Sequence, residues 1–325
     1  MSDWRGVIAK NKRKSWWVIT IFFVIYVGLG LFMDFYLQAG WVLSAAFTSI
    51  ALLVLLLTLF QCNSIALSGT HSKLITSDAD DAKEKQLFNV VEEMKIAAGI
   101  DYMPKIYILD VDYLNAFASG WRPNKCCVAI TRPLLNLLTR AELQAVMAHE
   151  LTHIRNQDTR LLVTVTVMAN ILVFIVDILF RTALYSGTSR SRNRNNLPIV
   201  LFLMIIRIVL PIVTAILLLF LSRSREYMAD SGAVSLTRRN QPLANALIKM
   251  HHYHLENKDE MLHAYKRTPH EGMRSMSYIY DPKAAQVYNW LNISSWFSTH
   301  PKLEDRLLAL GLSKTEIKQK LKQKD

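Results

Sequence analysis

Cysteine is scarce, acid is outnumbered by base, and no internal repeat is present. The chain has three cysteines, Cys62, Cys126 and Cys127. An odd number without framework spacing excludes a disulfide scaffold. Cys126 and Cys127 are neighbours in a strand-like stretch, where successive side chains point to opposite faces, so they cannot jointly clasp a metal. All three read as reduced thiols. With 38 Lys and Arg against 26 Asp and Glu, the formal net charge is +12. No basic-aromatic platform or recognised motif accompanies that excess, so nucleic acid is not expected as a partner. A cleaved leader is not expected either. The first apolar run exceeds the roughly 7–15 residues of a signal-peptide core, and a second run follows after only Gln38-Ala39-Gly40.

What the chain does have is long apolar runs. Four segments, 16–37, 41–60, 161–180 and 198–221, approach or exceed the roughly 20 residues that span a bilayer core. Arg5, Lys10, Lys12, Arg13 and Lys14 precede the first, and positive flanks favour the cytoplasmic side. Trp16, Trp17, Tyr36 and Trp41 stand at span ends, where interfacial aromatics belong. The chain thus divides into a basic start with a hairpin of spans (1–60), a soluble block (61–159), a second hairpin (160–221) and a second soluble block (222–325).

The soluble blocks show ordinary folding signals. Leu87, Val90, Val91 and Met94 recur at helical spacing within 80–98. Residues 106–109, 114–119 and 126–131 read as strands, the last two joined by a turn at Arg122-Pro123-Asn124-Lys125. Thr139-Arg140-Ala141-Glu142 fits a capping box and opens a helix running to about Asp158. Ser298-Thr299-His300-Pro301 resembles a helix start and Gly311 a stop, and Ser313-Lys314-Thr315-Glu316 is a second capping box.

The residues that carry chemistry are His149-Glu150-Leu151-Thr152-His153. Four residues apart on a helix, two imidazoles share one face and can converge on zinc. Glu150, beside the first imidazole, faces the zinc site without binding, as a general base. Zinc polarises the scissile carbonyl and makes water a better nucleophile. A third protein ligand is required. Glu226, in Ser222-Arg223-Ser224-Arg225-Glu226-Tyr227-Met228-Ala229-Asp230, competes with the cluster His251-His252-Tyr253-His254. Spacing favours Glu226, because it lies about one turn beyond the fourth span while His153 lies about two turns before the third. Asp230, one turn further on the same face, is placed to hydrogen-bond the far nitrogen of a ligand histidine. The loop between these spans carries Arg181, Arg190, Arg192 and Arg194, against the positive-inside tendency. Either the metal site overrides that tendency or the two spans enter the membrane without crossing it.

These residues resemble a known family, the HtpX-like heat-shock membrane zinc proteases, relatives of the CAAX prenyl proteases. The likeness covers nearly the whole chain. It includes Asn115-Ala116-Phe117-Ala118-Ser119-Gly120, the run from His149 to Asp158, the run from Ser222 to Asp230, and Ser298 to Pro301 with Arg306. Ser119 stands where threonine is expected, and 257–296 is unfamiliar. The resemblance implies that His149, His153 and Glu226 bind one zinc ion per chain and that Glu150 is the catalytic base. It implies that Asn115, Ala116 and Phe117 lie on an edge strand holding extended substrate, and that His300 and Arg306 stabilise the oxyanion.

The expected architecture is a mostly α membrane protein with a small β-sheet: an α+β, zincin-like catalytic domain and four transmembrane helices. The expected activity is that of a zinc metalloendopeptidase. It would degrade misfolded or damaged membrane proteins at the cytoplasmic face of a bacterial inner membrane, alongside other quality-control proteases. A narrow-specificity prenyl-protein or propeptide processor is the alternative of the same class. A zinc-containing transporter or receptor is the alternative of another class, but so few intramembrane charges make a poor transport path. Arg207, deep in the fourth span, is expected to pack against Asn170, Asp177 or both, with Pro211 kinking the same helix.

Overall fold

The computed structural model describes residues 4–38, 40–60, 71–119, 126–156, 158–186, 197–267, 278–280 and 300–322. Cys62, Gly120, the turn at 122–125, the arginines at 190, 192 and 194, Ser298, Thr299 and most of 257–296 lie outside them. The chain forms two compact units. One comprises Met1–Asn11, Cys62–Thr159 and Ser222–Asp325, and the other Lys12–Gln61 and Arg160–Leu221.

The first unit is built on four strands: β1 (Ser72–Ile75), β2 (Lys105–Leu109), β3 (Ala116–Ser119) and β4 (Cys127–Thr131). Their order is β1-β2-β4-β3. The β2–β4 pair is parallel, and β1 and β3 close the two sides antiparallel. β1 was not expected from the sequence. β4 is buried along its whole length, as a strand covered on both faces must be. The two faces follow the period of two. Ile106, Ile108, Val128 and Ile130 join one core, while Leu109, Phe117 and Ala129 join another with Tyr113, Met261 and Tyr278.

Helices close the first core. α3 (Ala82–Ala98) presents Leu87, Val90, Val91 and Met94 inward. The Asp81 carboxylate accepts from the Lys83 and Glu84 N–H groups at its start. Gly99 ends it at φ 65°, a conformation natural to glycine. α4 (Arg132–Leu137) leads to α5 (Arg140–Asn156). The capping box there forms in both directions: Thr139 N–H donates to Glu142 Oε2 at 2.9 Å and Glu142 N–H to Thr139 Oγ1 at 3.4 Å. Glu142 also holds Lys249 at 2.9 Å, on α8 (Gln241–Glu256). α9 (Lys258–Arg267), α10 (Leu303–Ala309) and α11 (Lys314–Lys322) complete the described helices of this unit. α10 stops at Gly311 (φ 93°), and the Ser313–Glu316 box opens α11. Cys126 and Cys127 are buried free thiols.

The second unit contains α1 (Trp4–Leu37) from Lys12 onward, α2 (Val42–Phe60), α6 (Asp158–Ser186) from Arg160 onward and the first part of α7 (Leu197–Thr237). Among the described residues, three stretches are long and apolar enough to cross a membrane: Trp16–Phe35, Val167–Leu184 and Pro198–Thr237. Val42–Leu53 in α2 is apolar but shorter. Exposed Val24, Leu31, Phe174, Ile205, Ile208 and Ile216 give the unit an apolar exterior. The first hairpin is held by buried Asp34, whose carboxylate accepts from the N–H groups of Leu43 and Ser44 at the start of α2. Gly30 permits it, since a Cβ there would lie 2.6 Å from Ser44 Cα.

Arg207 pairs with Asp177 at 2.8 Å and lies over the Phe180 ring. Asp177 also holds Arg181 at 2.6 Å. Asn170 does not share this cluster: it is exposed, about two turns along α6 from Asp177. α7 continues through Pro211. Breaking an ion pair from one side strands its partner, whereas removing both sides does not. We therefore expect Arg207→Leu to lower the melting temperature of the detergent-solubilised protein, and Arg207→Leu/Asp177→Leu to lie closer to wild type. Additive losses in that double-mutant cycle would show the pair to be uncoupled.

Candidate metal centre

α5 is buried around His149, Glu150 and His153, which are 0%, 0% and 7% exposed. A helix rises one turn in 3.6 residues, so the two imidazoles stack on one face. Their Nε2 atoms stand 3.2 Å apart. Glu226 comes from the last part of α7, with Oε2 3.7 Å from His149 Nε2 and Oε1 3.6 Å from His153 Nε2. Asp230, one turn along, places Oδ1 3.0 Å from His149 Nδ1. A carboxylate only accepts there, so the His149 proton belongs on Nδ1 and the Nε2 lone pair faces Glu226 and His153.

α7 reaches α5 this closely because of one glycine. A Cβ on Gly232 would lie 2.4 Å from Thr152 Cγ2 and 2.6 Å from Thr152 Oγ1. Thr152 is one of the two residues between Glu150 and His153. Gly232 is therefore where the α7 backbone packs directly on the Thr152 side chain of the motif helix.

The donor atoms of His149, His153 and Glu226 lie within 4.8 Å of one another. Two donors on one tetrahedral zinc, each about 2.1 Å from it, stand roughly 3.4 Å apart. The two Nε2 atoms, 3.2 Å apart, agree with that spacing, and the two Glu226 oxygens lie 3.6 and 3.7 Å from one imidazole each. Glu226 Oε2 is buried without a hydrogen bond, with His300 and Arg306 3.4 and 3.6 Å away. These three residues fit a zinc ion. The rival cluster does not contribute. His251 Nδ1 is 2.9 Å from the Tyr280 hydroxyl, His252 Nε2 is 2.9 Å from Lys320 O, and His254 Nδ1 is 2.7 Å from Met250 O.

The electrostatics suit a ligand and a base. Burial holds His149 below the ordinary histidine value against the pull of Asp230, which favours the neutral, metal-binding form. Burial also pushes the Glu150 carboxyl up to about 8, with Glu226 adding to it, while His153, Arg306 and the Ala118 N–H pull the other way. A bound dication would be the largest local charge and would draw Glu150 back down.

The remaining expected site residues fall in different places. Arg306, 2% exposed, is bidentate on Asp230: Nε to Oδ2 at 2.9 Å and one terminal nitrogen to Oδ1 at 2.6 Å. Its other terminal nitrogen donates to Ile279 O and lies 3.6 Å from Glu226 Oε2. The guanidinium is thus engaged by carboxylates, not directed at a substrate carbonyl. His300 Nδ1 is 3.4 Å from Glu226 Oε2. Asn115, Ala116 and Phe117 are buried, and they do not form an open edge. Ile279 N–H already donates to Ala116 O, and Asn115 Nδ2 to Tyr280 O. Three features escaped the sequence reading. They are the Asp230–Arg306 clamp, the Gly232–Thr152 contact and the 278–280 segment, which join residues 76, 80 and 161 positions apart. Arg306 standing in a run of otherwise ordinary helix was the available signal for the first.

Two imidazoles and a carboxylate converging beside a buried glutamate define the centre of a metal-dependent hydrolase. The family model and the named relatives make the chain a peptidase. The model of peptidase family M48 matches residues 81–312. A protein named "Protease HtpX homolog" from Helicobacter acinonychis is 33% identical over 326 residues, covering 95% of this chain and 98% of its own. A second of that name, from Dictyoglomus turgidum, is 36% identical over 309 residues, covering 94% and 93%. The crystal structure of S. mikatae Ste24p has a TM-score of 0.49 and 19% identity, covering 94% of this chain and 67% of its own. The chain belongs to peptidase family M48 and is a protease.

If the Gly232 contact sets the third ligand, Gly232→Ala should weaken zinc binding by about tenfold or more, a loss typical of displaced metal-site support. Adding Thr152→Ala, which removes the two closest atoms, should recover part of it. Equal zinc affinity in wild type and Gly232→Ala, by competition with a chromophoric chelator, would refute this.

Proposed function

We propose that this chain is a zinc-dependent endopeptidase held in a membrane by its apolar helices. It cleaves misfolded or damaged membrane proteins at the cytoplasmic face of a bacterial inner membrane. The observation that carries the chemistry is the convergence of His149, His153 and Glu226 next to a fully buried Glu150. The apolar exterior of the second unit supports the membrane setting. The basic residues before the first span support the cytoplasmic side.

Zinc held by His149, His153 and Glu226 would polarise the scissile carbonyl and acidify the attacking water. Glu150 takes the proton from that water and passes it to the leaving amine. Its burial keeps bulk water from competing for that proton. Asp230 holds His149 in the tautomer that presents Nε2, and Arg306 holds Asp230. Arg306 therefore acts as a positioning residue. His300, against Glu226, is the group next to the centre suited to share the charge developing on the carbonyl.

Wild type and Glu150→Ala should be compared on a casein-like substrate and on a misfolded membrane protein. The variant should keep its zinc and lose cleavage by about 10²-fold or more, the usual worth of a general base. Cleavage at the wild-type rate, or wild-type cleavage that resists a zinc chelator, would discard the mechanism. Arg306→Met should lower zinc affinity by about 10- to 100-fold. An oxyanion role predicts instead a fall in kcat at unchanged zinc affinity.

A further inference from the structure

Tyr280 is held by a side chain that does the work of a strand. Asn115 Nδ2 donates to Tyr280 O at 3.0 Å, and Tyr280 N–H donates to Asn115 Oδ1 at 3.4 Å. One carboxamide thus meets both backbone groups of one residue, as a neighbouring strand would. Its oxygen also accepts the Ala116 N–H at 3.0 Å, which uses both lone pairs of an amide oxygen. Asn115 is buried and tied to Thr131 at the end of β4. Its N–H donates to Thr131 Oγ1 at 2.9 Å, and Thr131 N–H donates to its carbonyl at 2.9 Å. The amide therefore has little freedom to move.

The Tyr280 N–H and the Ile279 carbonyl belong to one planar peptide. Asn115 holds that plane by its nitrogen. At the other end, the Ile279 oxygen accepts from Arg306 Nη1. The other donors of Arg306 that meet a partner, Nε and Nη2, are taken by Asp230. Nη1 also lies 3.6 Å from Glu226 Oε2, an oxygen without a hydrogen bond. One nitrogen thus stands between two oxygens, bonded to the neutral carbonyl and not to the carboxylate. A carboxylate is the stronger acceptor for a guanidinium. The carbonyl therefore prevails by placement, and Asn115 supplies the placement.

We propose that Asn115 is a positioning residue for the metal centre. By fixing the Ile279–Tyr280 peptide it keeps Arg306 Nη1 on the Ile279 carbonyl and leaves Glu226 Oε2 for the metal. This rests on reading His149, His153 and Glu226 as zinc ligands. If the peptide turns, Nη1 falls to Glu226 and competes with the cation for the same oxygen. Asn115 acts only through that peptide and Arg306. The residue that the resemblance placed on a substrate edge thus serves the ligand set instead.

The test uses full-length protein in detergent, stripped of metal and titrated with zinc against a chromophoric chelator. Asn115→Ser is too short to meet both Tyr280 groups. It should bind zinc about tenfold more weakly, the lower end of what lost outer support costs a metal site. The same substitution made in Arg306→Met should cost nothing further, because the nitrogen it would release is gone. A general loosening of the fold would instead weaken binding in both backgrounds. Wild-type zinc affinity in Asn115→Ser, or an equal loss with and without Arg306, overturns the proposal. If Asn115→Ser lacks a cooperative melting transition, Asn115→Asp is read by the same two criteria. It keeps the shape of the side chain and loses the donor to Tyr280 O. The failure of the zinc reading is told apart in the same titration. Wild-type protein that takes up no zinc, or takes it up equally after His149→Ala, refutes the metal centre itself.

Discussion

The structure depends on one close approach, that of the last part of α7 to α5 at Gly232 and Thr152. Two imidazoles on one helix are at best half a metal site. The carboxylate that meets them, Glu226, comes from a helix some 70 residues away in sequence. The backbone must come near enough for Glu226 to reach both Nε2 atoms. A glycine at the crossing makes that distance attainable, and the cost is a row of polar groups sealed from water. Such a row is tolerable only if its charges answer one another.

The answer is a chain of contacts running outward from the imidazoles. His149 meets Asp230, Asp230 is gripped by Arg306, and Arg306 reaches Glu226 and the Ile279 carbonyl. One guanidinium therefore touches the carboxylate that meets His149, the carboxylate of Glu226 and the segment lying on β3. This explains why a planar, five-donor cation is used: a lysine has no fork to hold Asp230 through both oxygens while reaching two further acceptors. The same chain links His149 and Glu226 to the segment that lies on β3.

Membrane attachment and chemistry use different physics. The second unit is held by apolar packing among Phe22, Tyr26, Leu172 and Leu203, with a few polar ties such as Asp34 at the hairpin and Arg207 with Asp177. The first unit is a sheet covered on both faces, capped helices and a sealed polar centre. The long runs of apolar sequence report the former directly. Only side-chain periodicity and caps report the latter, which is why β1, four residues with one buried position, left no readable trace.

The sequence by itself determined what is local. Caps at Thr139 and Ser313, the stop at Gly311, the apolar runs and the one-turn spacing of His149 and His153 all depend on residues within a few positions of each other, where backbone geometry leaves little choice. It also ranked Glu226 above the His251–His254 cluster, and family resemblance reinforced that ranking. Tertiary structure decided what depends on distant residues meeting. It turned Arg306 from a supposed substrate contact into the clamp on Asp230, drew Arg207 to Asp177 and away from Asn170, and laid Tyr278–Tyr280 along β3. Local rules are silent there, because a contact between segments tens of residues apart is selected by packing of the whole and leaves no periodic mark on either segment.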